Sequence, residues 1–219
     1  MDELLSRSWQ RAWGAVSGAE GHALRDALAM AYACGGRHYH TLQHLRETVA
    51  LLEPALPLAW HPAEVEVALW FHDAVYDPRA GDNEARSAEW AREALGAAGV
   101  DAVVGGRVAA LILATRHEAL PATPDARLLL DADLAILGAT PARFDEYERQ
   151  VRQEYAWVPE ERFRTGRRAL LQRLLERPAL YATDHFRQRF EAPARANLAR
   201  SLARLAGSDD AGRGAAPQK

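Results

Sequence analysis

Apolar residues recur along this chain at spacings of three and four, and that period commits it to helices. Leu42, Leu45, Val49 and Leu52 form one such stripe. Val65, Leu69 and His72 form a second, and Leu170, Leu174 and Leu175 a third. A helix of 3.6 residues per turn presents one face this way, whereas a half-buried strand alternates with period two. Alternating runs bounded by turn pairs are almost absent. The string LLLDADLAIL (128–137) fits a buried strand or a helix equally, but its neighbours are helical. The expected fold class is all-α.

Helix breakers divide the pattern. Gly35-Gly36 closes a helix begun near His22, and Pro62 opens one that stops after Val75, ahead of Asp77-Pro78. Asp82 is placed to cap a helix from Asn83 to about Ala98, and Asp101 to cap the next, to about Arg116. Thr140-Pro141 starts another with proline at its first position. Pro159 and Pro178 separate long helices in the last third, the final one ending near Leu205. No repeat and no long linker is visible, so 1–205 reads as a single helical-bundle domain and 206–219 as a disordered tail.

Composition narrows the function classes. Hydrophobic residues are 48% and charged residues 26%, the balance of a folded globular chain. Net charge is −3, which calls for no polyanionic partner. From Arg143 to Arg204, 14 arginines face 9 acids, a local +5 that leaves −8 elsewhere. An acidic part beside a basic one suits a protein holding a cation and an anionic substrate, though arginines also simply solvate helix faces. Glu154, Glu160, Glu161, Glu176 and Glu191 interrupt the basic stretch, unlike the cleaner stripe of a nucleic-acid binder. Cys34 is alone, which excludes an internal disulfide and a cysteine-based zinc site. The amphipathic start lacks the form of a signal peptide, and no stretch approaches the roughly 18 apolar residues of a membrane span. A cytoplasmic protein without membrane association is expected. Trp9 and Trp13, on one face of the first helix, leave self-association into a homo-oligomer open.

Four places set polar residues into apolar helical context. RHYHTLQHL carries His40 and His44, which share a face if the helix begins by His40. ALWFHDAVYD carries His72 and Asp73 after an apolar run. ILATRHE ends a helix at His117, and LLLDADLAIL holds Asp131 and Asp133 in the most apolar string of the chain. Each has an ordinary explanation: core histidines usually satisfy hydrogen bonds, HD pairs occur by chance, and Asp131 could cap a helix. Yet an unpartnered buried carboxylate costs several kcal/mol, and a divalent cation would offset it. Imidazole with carboxylate suits Mn, Fe, Co, Ni or Zn, with Mg a further candidate.

The order His, His-Asp, Asp, with 28 residues from His44 to His72 and 60 from Asp73 to Asp133, resembles the HD superfamily of metal-dependent phosphohydrolases. It is most similar to a bacterial branch of predicted hydrolases through RHYHTLQHL, WFHDAVYD, DNE and LLDADLAILG. The likeness continues through RQEYAWVP, FRTGR and ARANL, covering roughly residues 20 to 204. The resemblance implies an HD-type helical domain with His44, His72, Asp73 and Asp133 as metal ligands. Asp133 is chosen over Asp131 because the ligand in the related pattern ends an Ala-Asp pair; Asp131 then supports the site or caps a helix. YHTLQH is also similar to the YHNxxH string of cyclic-nucleotide phosphodiesterases. By that likeness His40 is a candidate general acid and His44 the ligand.

The chemistry this implies is hydrolysis of a phosphoester or phosphoanhydride of a nucleotide or another small phosphorylated metabolite. The metal would lower the pKa of water from about 15.7 towards 7 and polarise the phosphoryl oxygen. Asp73 could both bind metal and orient that water, with Asp77 and Glu84 as supporting residues or general base. Asp77 also reads as an ordinary turn starter before proline. Arg116, His117, Arg152 and Arg167 are candidate phosphate contacts, although surface ion pairs account for the last two arginines as well. Related oxygenases and cyclic-dinucleotide hydrolases carry two additional histidines between the HD pair and the last aspartate. Only His117 is available here, which favours one metal. The alternative function is a non-catalytic nucleotide-binding regulatory module; a purely structural helical protein leaves the buried DAD unexplained.

Overall fold

Helix α4 (Pro62–Phe71) shows how the sequence organises the first part of the molecule. Pro62 occupies its first turn, where a missing N–H costs nothing, and every residue from Glu64 to Phe71 is buried. A helix apolar on all sides belongs in a core. In a computed structural model, which describes residues 2–117 and 121–213 with side chains to 206, α4 packs against five other helices. They are α1 (Glu3–Ser17), α3 (Leu42–Leu52), α5 (Asn83–Ala97), α6 (Ala102–Ala114) and α7 (Pro124–Leu134). With α2 (His22–Tyr32) these form one of two compact units, Met1–Ala135. The second, Ile136–Lys219, holds α8 (Pro141–Glu154), α9 (Glu160–Glu176) and α10 (Asp184–Arg213). Short 3-10 turns occupy Glu53–Leu58 and Ala135–Gly138. The described residues are all-α and contain no strand, and no helix among them is long and apolar enough to cross a membrane.

The start signals act mostly as their chemistry predicts. Thr41, Asp101, Thr123 and Thr140 each accept a hydrogen bond from a first-turn amide. Asp82 precedes α5 but makes no side-chain cap, and Asn83 instead bonds both ways with the Asp77 backbone. LLLDADLAIL is helix α7 followed by a 3-10 turn. The last helix runs on to Arg213, beyond the expected end near Leu205; residues 214–219 of the expected tail lie outside the described residues.

Trp9 and Trp13 stack at 5.1 Å, and Trp9 meets Trp70 edge-on at 5.2 Å. Both α1 indoles are buried in the first unit, so this face is core and not a surface for self-association. Two glutamates inside α4 are buried but paired. Arg11 of α1 forks onto Glu66, and Arg107 of α6 forks onto Glu64 at 2.8 and 2.6 Å. α4 and α7 share a further property: each is followed or ended by a residue of the His/Asp group, His72 and Asp133 respectively.

Candidate metal centre

The group is assembled from three helix ends. α3 starts at Leu42 behind its Thr41 cap, so His44 lies in the first turn and buries its ring. His40 falls before the cap, so the condition under which the two histidines would share a helix face is not met. Their rings are nevertheless neighbours, 5.8 Å apart and edge to face. His72 caps the end of α4, and Asp73 follows in the turn closed by Ala74 N–H to the Phe71 carbonyl. Asp133 stands in the last turn of α7.

His72 Nδ1 lies 2.7 Å from the Leu69 carbonyl. A carbonyl only accepts, so Nδ1 carries a proton and Nε2 is the nitrogen turned inward, the one that would be offered to a cation. There it meets His44 Nε2 at 3.1 Å and Asp73 Oδ2 at 3.0 Å. His44 Nε2 is 3.4 Å from the same Asp73 oxygen and 3.3 Å from Asp133 Oδ1, which is 3.6 Å from His72 Nε2. Ligands about 2.1 Å from one cation are about 3.0 Å apart at an octahedral edge and about 3.4 Å at a tetrahedral one. The donor spacings span both values. His44, His72 and Asp133 could therefore hold a metal ion; Asp73 lies beside both imidazoles but is not one of those three mutually close donors.

Asp131 lies elsewhere. Each helical residue turns about 100°, so a residue two positions before Asp133 points roughly to the opposite side. Asp131 is buried within α7.

Charge in the group is balanced internally. Burial opposes the charge on His44, but Asp133 and Asp73 hold its pKa above the usual imidazole value. Burial likewise opposes His72, yet the adjacent Asp73 raises it well above that value. For Asp73, burial is overcome by His72 and His40, and for Asp133 by His117, His44 and His72; both carboxyls sit well below the ordinary range.

Neighbouring groups shape the surroundings. His117 Nε2 holds the other oxygen of Asp133 at 2.9 Å, from a backbone in the left-handed region at φ 56°. The His40 ring stacks on Tyr76 at 4.1 Å. Arg116 meets Glu84 at 3.6 Å. Asp77 is exposed and its Oδ1 accepts from Arg79 N–H, the ordinary turn role. Arg152 and Arg167 belong to the second unit and are held there. Arg152 donates to Glu160 and to the Tyr155 and Val158 carbonyls, while Arg167 is buried against Glu148. The structure thus gives both arginines internal architectural partners, and Arg167 is not a surface pair.

Arg37 and Tyr32 escaped the sequence reading. Arg37 donates to the carbonyls of His40, Asp73 and Ala74, tying the segment before α3 to the turn after α4. The Tyr32 hydroxyl donates to the Trp70 carbonyl at 3.2 Å and receives Asp73 N–H at 3.4 Å; burial pushes its pKa up to about 12. Arg37 stands inside RHYH, but a side chain that binds carbonyls 36 residues away leaves no periodic trace. Comparison with family models, curated proteins and solved structures finds no match for this chain.

Proposed function

We propose that this chain is a metal-dependent phosphohydrolase acting on a nucleotide or another small phosphorylated metabolite. The observation that supports this is the convergence of two imidazoles and the Asp133 carboxylate at cation-ligand spacings, with Asp73 beside both imidazoles. His44, His72, Asp73 and Asp133 would hold one divalent ion, Mn, Fe, Co, Ni or Zn, with Mg a further candidate. When bound, such an ion supplies Lewis acidity towards a phosphoryl oxygen and acidifies water.

The remaining residues divide the work. The Leu69 carbonyl fixes the His72 tautomer, and His117 fixes the direction of Asp133. His40, held by stacking on Tyr76, is the candidate proton donor to the leaving oxygen. Arg116 meets Glu84 and lines a cleft that holds none of the His/Asp group, so the phosphate contact expected of it is not part of this proposal. Asp77 is the weakest member of the expected set, because its carboxylate already builds a turn.

The test is a phosphate-release screen over nucleotides and sugar phosphates with Mn, Co, Ni, Mg and Zn, accompanied by measurement of bound metal. His72→Ala and Asp133→Ala are expected to lose bound metal and to reduce turnover at least about 100-fold. Metal retained in both variants would overturn the site; metal bound without turnover on any phosphate would favour the regulatory module.

A further inference from the structure

A second cleft opens where the beginnings of α4 and α7 meet the later turns of α6, and none of the His/Asp group lines it. It encloses about 530 Å³, within the roughly 300–1,000 Å³ of small-molecule sites. Ala110, Leu111, Leu113 and Ala114 of α6 form an apolar wall. Polar groups are layered around it in a particular order.

The acids lie beneath and are already engaged. Glu64 and Asp125 are both buried. Glu64 takes the Arg107 fork, while Asp125 accepts Trp60 N–H at 2.6 Å and faces His61 Nδ1 at 2.9 Å. The basic groups stand outside them. The side chains of Arg107 and His61 are each 41% exposed and that of Arg116 is 34% exposed. Arg107 uses Nε and Nη2 for Glu64, leaving Nη1 for a ligand; Arg116 meets Glu84 through Nε. Trp60, 68% exposed, adds a ring at the mouth.

A ligand entering this cleft meets an apolar wall, an indole face and a basic rim, with the negative charges covered. We infer that it binds a small organic carboxylate with an apolar, preferentially aromatic, body. The acid contacts Arg116, the rim arginine that is not forked onto a buried glutamate, and the body packs on α6 and Trp60. A neutral molecule of the same shape would gain the apolar contacts but not the charge-assisted hydrogen bonds. An inorganic anion would gain the reverse.

The inference is independent of metal and is tested on the chelator-treated full chain. Calorimetry and tryptophan fluorescence with 1-naphthoate, its neutral analogue 1-naphthamide and inorganic phosphate separate the contributions. One saturable naphthoate site is expected, at least tenfold tighter than naphthamide, with phosphate not competing at equal concentration. Arg116→Gln should bring naphthoate close to the amide. Ala110→Trp, at an exposed position of α6, should fill the cleft and abolish binding, with the circular-dichroism melt confirming a folded protein. If Ala110→Trp does not fold, Trp60→Ala is the second variant, expected to weaken both ring compounds. Absence of saturable binding, equal affinity for acid and amide, or affinity untouched by the folded variants would overturn the inference.

Discussion

At the scale of the residue, the informative groups are those whose second contact is fixed. His72 turns its Nε2 inward because its other nitrogen is committed to Leu69, a contact three residues back that a helix end supplies locally. His117 reaches Asp133 from a left-handed backbone that non-glycine residues adopt rarely and at some cost. That strain persists where surrounding contacts enforce it, and the 2.9 Å bond to Asp133 is one of them. His117→Asn tolerates the same backbone but has a shorter reach. It is expected to weaken metal binding about 10- to 100-fold in a calorimetric titration, leaving the melt of the metal-free protein near that of the parent. An unchanged affinity would remove His117 from the set that orients the site. The sequence showed that His117 was the one histidine between Asp73 and Asp133; it could not show which oxygen the ring would meet.

At the scale of the element, caps decide more than periodicity. Spacing four would set His40 and His44 on one helix face, but Thr41 accepts from Gln43 N–H and starts α3 after His40. The pair becomes a loop residue beside a helix residue, and His40 gains freedom to stack on Tyr76. The turn from α1 to α2 shows a second local demand. Gly21 has φ 61°, and a Cβ there would collide with the Trp13 indole, which is itself buried beside Trp9. Gly21→Ala therefore combines backbone strain with overpacking and is expected to cost about 2 kcal/mol or more, measured by denaturant unfolding. A cost below about 0.5 kcal/mol would mean that the indole can move aside.

At the scale of the whole molecule, the two units carry different burdens. The first contains every residue of the His/Asp group, drawn from α3, α4 with its following turn, and α7. An ion bound to the folded state alone adds RT ln(1 + [L]/Kd), about 2.7 kcal/mol at a hundredfold excess over Kd. Chelation should consequently lower the thermal midpoint and loosen amide protection at the ends of α3, α4 and α7, as hydrogen exchange can read. A midpoint indifferent to chelator and to added Mn, Co, Ni and Zn would argue against a cation there. The second unit holds the basic stretch, and its arginines largely serve architecture. Arg195 binds the carbonyls of Leu175 and Arg177 at the end of α9, and Arg200 and Arg204 converge on Asp145. Composition alone left the excess charge to an anionic substrate or to solvated helix faces; these contacts give several of the arginines a third use, tying helix ends together.

By itself the sequence determined the helical class, most of the helix starts and the presence of polar residues where apolar ones would be expected. These are local properties: a residue senses neighbours three and four positions away, and a threonine caps the amides that follow it. Tertiary packing decided what required distant segments to meet. It brought His44 and His72 to 3.1 Å across 28 residues and placed Asp133, not Asp131, beside them. It also turned Trp9 and Trp13 inward and closed Arg167 onto Glu148. Helical phase separates two aspartates on α7, but only the helices packed around α7 determine which of its sides faces the histidines.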